Sequence, residues 1–314
     1  MSGRVLNVLA ALPEADWQSW RPALERAFAA AGLKVRLGGR EMAPGAVDYI
    51  LYTPTGWLAD FSPYTRARAV LSLWAGVERI IGNKSLTQKL TRMVDPGLRE
   101  GMREWVAGHV LRAHLGMDRD ICRTDARWAP HVPPLARDRQ VTLLGLGALG
   151  TAAAEALVAL GFQVTGWSRR PKEIAGVTCL AGADGLAQAL ARAEILVLLL
   201  PLTPETENIL NADTLAHLPP GAVVLNPGRG ALIDDAALLA ALDSGRLAHA
   251  TLDVFREEPL PATHPFWAHP RVTVTPHIAS ATRPETAAEV VAENIRRAEA
   301  GEALLYLVDR AAGY

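Results

Sequence analysis

Three polar groups follow three successive apolar runs in the second half of the chain. Ala222–Asn226 is followed by Pro227-Gly228-Arg229-Gly230, Ala248–Asp253 by Val254 through Pro259 with Glu257 and Glu258, and Val272–Thr275 by Pro276-His277. If the runs are neighbouring parallel strands, an arginine, a carboxylate and a histidine converge beyond one sheet edge, where open α/β sheets bind ligands. That trio suits reduction of a 2-oxo acid. Such a reduction needs a hydride at C2, a proton for the oxygen and an anchor for the carboxylate. A nicotinamide cofactor brings the hydride. A histidine with an ordinary pKa of about 6.5 can bring the proton. A neighbouring carboxylate fixes its tautomer and raises its pKa, and Arg229 can grip the carboxylate while polarising the carbonyl. Spacing alone leaves Glu257 and Glu258 as equal candidates. No His/Asp/Glu cluster has metal-ligand spacing, so no metal is expected. A G-x-S-x-G nucleophile motif is also absent.

The hydride donor needs its own seat. Gly145-Leu146-Gly147-Ala148-Leu149-Gly150 matches G-x-G-x-x-G, with an apolar run before it and a helical pattern after it. The first glycine permits the tight turn, the second lets the backbone approach a pyrophosphate, and the third permits close helix–sheet packing. The helix N-terminus supplies amides and dipole to the phosphates. The next strand ends Trp167-Ser168-Arg169-Arg170, where an acidic residue would select NAD through the ribose 2′-hydroxyl. Two guanidinium groups and a hydroxyl suit a 2′-phosphate instead, which favours NADP(H).

These groups must be held by a regular framework. The 314 residues suggest about two domains. Hydrophobic residues make up 50% and charged residues 21%, the balance of a globular chain. Lys plus Arg is 32 and Asp plus Glu 33, which argues against nucleic-acid and membrane-surface partners. The longest apolar run, Ile195 to Leu200, is far shorter than the ~18 residues of a membrane span. Two widely spaced cysteines, Cys122 and Cys179, read as reduced thiols of a cytoplasmic protein.

The first third reads as strands Val5–Leu9, Lys34–Leu37, Tyr49–Tyr52, Ala69–Trp74 and Thr91–Val94, with a helix over Trp17–Ala31 and a closing turn at Asp95-Pro96-Gly97. A helix from about Leu98 to Leu115 and a proline-punctuated arm, Asp118 to Asp138, come next. From Gln140 the alternation is regular: Val141–Leu144, Gln163–Trp167, a weaker Val177–Leu180, Ile195–Leu200 and the three runs above, with helices Leu149–Leu160, Gly185–Ala193 and Ala236–Ser244 between them. The expected fold is α/β, two doubly wound parallel-sheet domains. The last helix, Pro284–Glu299, returns to the first of them.

Taken with Asn226–Gly230, Leu252-Asp253-Val254-Phe255 through Glu258-Pro259, and Thr275-Pro276-His277-Ile278-Ala279, the chain resembles the D-isomer-specific 2-hydroxyacid dehydrogenase family over nearly its full length. Within it, Trp167-Ser168-Arg169, Leu200-Pro201-Leu202-Thr203-Pro204-Glu205-Thr206, Thr282-Arg283-Pro284 and Val308-Asp309-Arg310 look most like the glyoxylate/hydroxypyruvate reductase A branch. The resemblance implies a smaller flavodoxin-like substrate domain, residues 1–97 completed by 285–314, and a Rossmann-type NADP-binding domain, 98–284. It implies that Glu258 pairs with His277, that Arg229 binds the substrate carboxylate and that Asp253 lies near the nicotinamide carboxamide. Leu200, Pro201, Thr206 and Pro227 line the cofactor. Trp74, Ala75 and Gly76 belong to a loop that holds the substrate. The arm around Trp128 looks like a dimerisation loop, so a homodimer is expected. Two departures stand out: Pro227-Gly228 replaces the usual small non-proline pair before the arginine, and the NAD-selecting acid is missing. The implied activity is NADPH-dependent reduction of glyoxylate and hydroxypyruvate. The alternatives are a reductase of bulkier 2-oxo acids and a non-catalytic NADP(H)-sensing protein of the same fold.

Overall fold

The structure is a computed structural model that describes residues 4–313. In chain order, β1 (Leu6–Ala11), α1 (Glu14–Ala30), β2 (Val35–Gly38), β3 (Tyr49–Tyr52), β4 (Ala69–Ser72), α2 (Glu78–Ile81) and β5 (Lys89–Thr91) form the first block. Helix α3 (Pro96–Leu115) and the short α4 (Asp118–Ile121) follow. Then come β6 (Gln140–Leu144), α5 (Ala148–Ala159), β7 (Gln163–Ser168), β8 (Val177–Ala181), α6 (Gly182–Ala191) and β9 (Ile195–Leu198). The remainder is α7 (Ala212–Leu215), β10 (Ala222–Asn226), α8 (Asp235–Asp243), β11 (Leu247–Leu252), β12 (Val272–Val274) and α9 (Pro284–Ala300).

The chain divides into two α/β units. One takes the chain up to Leu98 and from Ala281 onward; the other spans Arg99–Ser280. The first unit has a five-stranded parallel sheet in the order β2-β1-β3-β4-β5, the flavodoxin-like arrangement. The second has a seven-stranded parallel sheet in the order β12-β11-β10-β9-β6-β7-β8, the doubly wound dinucleotide-binding order with one further strand at its edge.

Strand β9 shows why the larger sheet reads as continuous apolar runs. Ile195 and Val197 pack on one face with Met102, Val106 and Val110 of α3 and Ala153 and Leu157 of α5. Leu196 and Leu198 pack on the other with Leu190 of α6 and Leu238 and Leu242 of α8. Both faces are covered, so no alternation with polar residues survives. Burying each such side chain is worth ~1.5–3 kcal/mol. In the first unit α1 and α9 pack together, which joins the two ends of the chain.

Three local readings are corrected. The fifth strand is Lys89–Thr91, not Thr91–Val94: the Arg92 amide donates to Tyr306 and the Met93 amide to Trp74, so these residues leave the ladder. Strand β4 stops at Ser72, whose hydroxyl accepts from the Trp74 amide at 3.2 Å and bends the chain. Asp95-Pro96-Gly97 opens a helix. The Asp95 carboxylate accepts from the amides of Gly97 (3.0 Å) and Leu98 (3.3 Å), and Pro96 takes the first helical position, where its missing N–H costs nothing. Within the arm, α4 and a 3₁₀ turn at Ala136–Asp138 bracket an irregular middle. Among the described residues, no helix is long and apolar enough to cross a membrane.

Candidate active site

The site of the second unit is built on the carboxyl ends of its strands. After β6, Gly145 adopts φ +110°, and a Cβ there would lie 2.5 Å from the Leu199 carbonyl oxygen. A Cβ on Gly150 would lie 1.9 Å from the Gly145 oxygen. Those two glycines are required by the protein's own packing. Gly147 is different. Its backbone, φ −69° and ψ −170°, suits any residue, and a Cβ there would meet no protein atom within 4 Å. The space above Gly147, at the uncapped N-terminus of α5 that begins with Ala148 and Leu149, fits a phosphate group held on backbone amides.

Ser168, Arg169 and Arg170 stand at the end of the adjacent β7. The buried Ser168 hydroxyl donates to the Arg170 carbonyl at 2.7 Å, and both arginines are exposed. Arg169 lies near Glu205, whose carboxyl is held below the usual range by the Thr203 hydroxyl, by its own backbone amide and by that guanidinium. One cation was missed in the sequence. The Lys172 ammonium donates to the Leu146 carbonyl inside the glycine loop, so it joins the arginines beside the dinucleotide cradle. The signal was present in Pro171-Lys172, directly after the arginine pair.

The loop after β9 is self-tied. The Thr206 hydroxyl donates to the Pro201 carbonyl at 2.7 Å and accepts from the Thr203 amide at 2.8 Å. Leu200 packs into the sheet core and Pro227 is buried after β10.

His277 follows β12, and its Nδ1 lies 2.7 Å from Glu258 Oε2. The other carboxylate oxygen of Glu258 accepts from the Phe255 amide at 2.9 Å, which fixes its aim. Glu258 and not Glu257 therefore makes the contact. The hydrogen bond from Glu258 raises the His277 pKa above its ordinary value, against burial. Burial pushes the Glu258 carboxyl up, but bonds from His277 and Phe255 outweigh it and hold the group below the usual carboxylate range. Arg229 lies close enough to act on both, lowering each. Its guanidinium also donates to the Gly228 carbonyl at 2.7 Å.

His277 has φ +53°, a left-handed conformation that costs a non-glycine residue roughly 1–2 kcal/mol. Asp253 holds it there. This carboxylate is fully buried and accepts from the Thr275 hydroxyl (2.5 Å), the Ile278 amide (2.9 Å) and the Ala279 amide (2.9 Å). Its own carbonyl accepts from the His277 amide at 2.8 Å. Four bonds around the histidine thus over-determine a strained backbone, as expected where geometry matters to chemistry.

Trp74, Ala75 and Gly76 lie in the first unit, in the bend after β4. Trp74 is 38% exposed, and its carbonyl accepts from the Met93 amide. Trp128, in the arm, is 95% exposed. Among the described residues, no group of three or more His, Cys, Asp or Glu side chains could hold a metal ion.

The family model "D-isomer specific 2-hydroxyacid dehydrogenase, NAD binding domain" matches residues 109–279. A glyoxylate/hydroxypyruvate reductase A of Serratia proteamaculans is 39% identical over 311 residues, covering 96% of this chain and 93% of that one. The crystal structure of a D-isomer specific 2-hydroxyacid dehydrogenase from Xanthobacter autotrophicus, in complex with NADPH and MES, superposes with a TM-score of 0.91. It is 42% identical, covering 98% of this chain and 99% of that one. An NADPH-dependent glyoxylate/hydroxypyruvate reductase from Sinorhizobium meliloti, in complex with NADP and sulfate, gives 0.88 at 35% identity, covering 98% of this chain and all of that one. With the glycine cradle, the His277–Glu258 pair and Arg229 on one sheet edge, these likenesses place the chain in the D-isomer specific 2-hydroxyacid dehydrogenase family.

Proposed function

We propose that the protein is an NADPH-dependent reductase of small 2-oxo acids, with glyoxylate and hydroxypyruvate as its substrates and 2-hydroxy acids as products. The observation that carries this reading is the 2.7 Å contact between His277 and Glu258 with Arg229 beside it. Relatives of matching length bear that activity in their names, and two superposable structures hold NADPH or NADP.

NADPH, when bound, supplies the hydride. The residues do the rest. The glycine loop would hold the pyrophosphate, and Thr206, Leu200, Pro201 and Pro227 would line the cofactor. Ser168, Arg169, Arg170 and Lys172 recognise the 2′-phosphate. Asp253, buried beneath the site, would lie near the nicotinamide carboxamide while it holds the His277 loop. Arg229 grips the substrate carboxylate and withdraws charge from the carbonyl, as its donors match a carboxylate. His277, kept protonated by Glu258, gives its proton to the carbonyl oxygen as that oxygen gains charge. The imidazole left behind shares its remaining proton with Glu258.

The exposed apolar residues of the arm, Ile121 at 72%, Trp128 at 95% and Val132 at 88%, support a homodimer that covers them. The two free cysteines suit a cytoplasmic enzyme. Initial rates with NADPH and NADH across glyoxylate, hydroxypyruvate, pyruvate and phenylpyruvate test the reading. Faster turnover of the two small acids with NADPH is expected. Preference for phenylpyruvate, or no turnover of any of the four, would overturn it.

A further inference from the structure

Asn226 ends β10 and is 1% exposed. Its side-chain amide is committed at both ends to the loop that carries Arg229. Oδ1 accepts from the Gly228 amide at 3.1 Å, and Nδ2 donates to the Arg229 carbonyl at 2.9 Å. The flanks of that loop are set by close approach. A Cβ on Gly228 would lie 2.8 Å from the Leu198 carbonyl oxygen, and one on Gly230 would lie 2.0 Å from the Phe255 carbonyl carbon. Between these pinned glycines, Arg229 itself is extended, φ −142° and ψ 142°, a conformation many torsions neighbour at little cost. Asn226 grips the peptides on either side of it, and the Arg229 carbonyl also accepts from the Leu232 amide at 3.2 Å. The main chain of Asn226 also accepts from the Asp253 amide at 3.0 Å, so the residue that orients the arginine loop abuts the one that orients the histidine loop.

We propose that Asn226 is the positioning residue for Arg229: its buried amide sets where the guanidinium meets the carboxylate of a 2-oxo acid. It acts on substrate binding, whereas Glu258 acts on the proton. The inference rests on the functional reading above, since it needs Arg229 to be the carboxylate anchor.

The test is Asn226→Asp, which keeps the shape and the acceptor for Gly228. As a carboxylate it loses the donor to Arg229 and turns an oxygen toward that carbonyl. With glyoxylate and NADPH, KM and the inhibition constant of the unreactive analogue oxamate should both rise roughly 10–100-fold, the cost of a displacement near 1 Å. The dissociation constant of NADPH, by fluorescence titration, should stay within about twofold. A buried carboxyl has a raised pKa. On protonation it regains a donor toward the Arg229 carbonyl, so the ratio of variant to wild-type KM should fall toward one as pH is lowered. Asn226→Ala should raise KM by a ratio that does not depend on pH. A folded Asn226→Ala, which lacks both side-chain bonds at every pH, with unchanged KM and oxamate inhibition overturns the inference. So does parallel loss of NADPH affinity, or a raised Asn226→Asp KM ratio indifferent to pH. Wild-type protein that reduces no 2-oxo acid overturns the functional reading and this inference with it.

Discussion

Gly147→Ala separates a glycine kept for a ligand from one kept for the fold. Its backbone lies in the extended region, and an added Cβ meets no protein atom within 4 Å. The apo protein should therefore fold normally. Removing a glycine at a compatible position even stabilises by about 0.4–1 kcal/mol, through the unfolded chain. A pyrophosphate on the α5 amides would be displaced by the same methyl. Losing one charge-assisted hydrogen bond costs about 1.5–3 kcal/mol, or roughly 10–150-fold in affinity. Gly150→Ala is the control, because its Cβ would sit 1.9 Å from the Gly145 oxygen. That variant should lose stability before it loses anything else. Thermal unfolding without cofactor and fluorescence titration with NADPH read the two effects separately. An apo Gly147→Ala protein that melts several degrees lower while binding NADPH normally would refute the argument.

Other outcomes follow from the same geometry. Arg169→Ala with Arg170→Ala should weaken NADPH by about 1.5–3 kcal/mol per lost contact and leave NADH nearly unchanged; an unaltered NADPH/NADH preference contradicts the phosphate assignment, and Lys172→Ala should act in the same direction. His277→Ala should cut glyoxylate reduction by about 10²–10⁴-fold with NADPH affinity intact, and near-normal turnover would remove the histidine from its role. Light scattering should find a dimer at micromolar concentration, weakened by Trp128→Ala; a monodisperse wild-type monomer contradicts the role given to the arm.

Most of the framework was legible because local pattern and tertiary environment agree. Ala222–Asn226 is bounded as read, since both faces of β10 are covered and a Pro-Gly pair ends it. Strands that alternate with helices implied the parallel sheets, and the family resemblance implied the flavodoxin-like character of the smaller one. Where the reading slipped, contacts between distant residues decided. Met93 and Val94 look like strand residues because they are buried, yet the Arg92 and Met93 amides bond to Tyr306 and Trp74. Asp95-Pro96-Gly97 carries turn chemistry that serves equally to cap a helix. At the site, residue types named the arginine, the histidine and the pair of glutamates. Residue physics alone could not choose Glu258 over Glu257, because the Phe255 amide that aims it is a feature of the folded turn. The contact of Lys172 with Leu146 and the grip of Asn226 on the Arg229 loop are likewise set by the fold.

The central claim is that Glu258 keeps His277 protonated for reduction, and the pH dependence of glyoxylate turnover tests it most directly. Reduction consumes the protonated imidazole, so the rate holds at low pH and is lost as pH rises through the His277 pKa. That pKa is raised above its ordinary value first of all by the bond from Glu258. In Glu258→Gln the alkaline limb of the kcat/KM profile should move to lower pH, while Glu257→Gln leaves it in place. An alkaline limb that stays put in Glu258→Gln, or that moves in Glu257→Gln instead, would contradict the assignment.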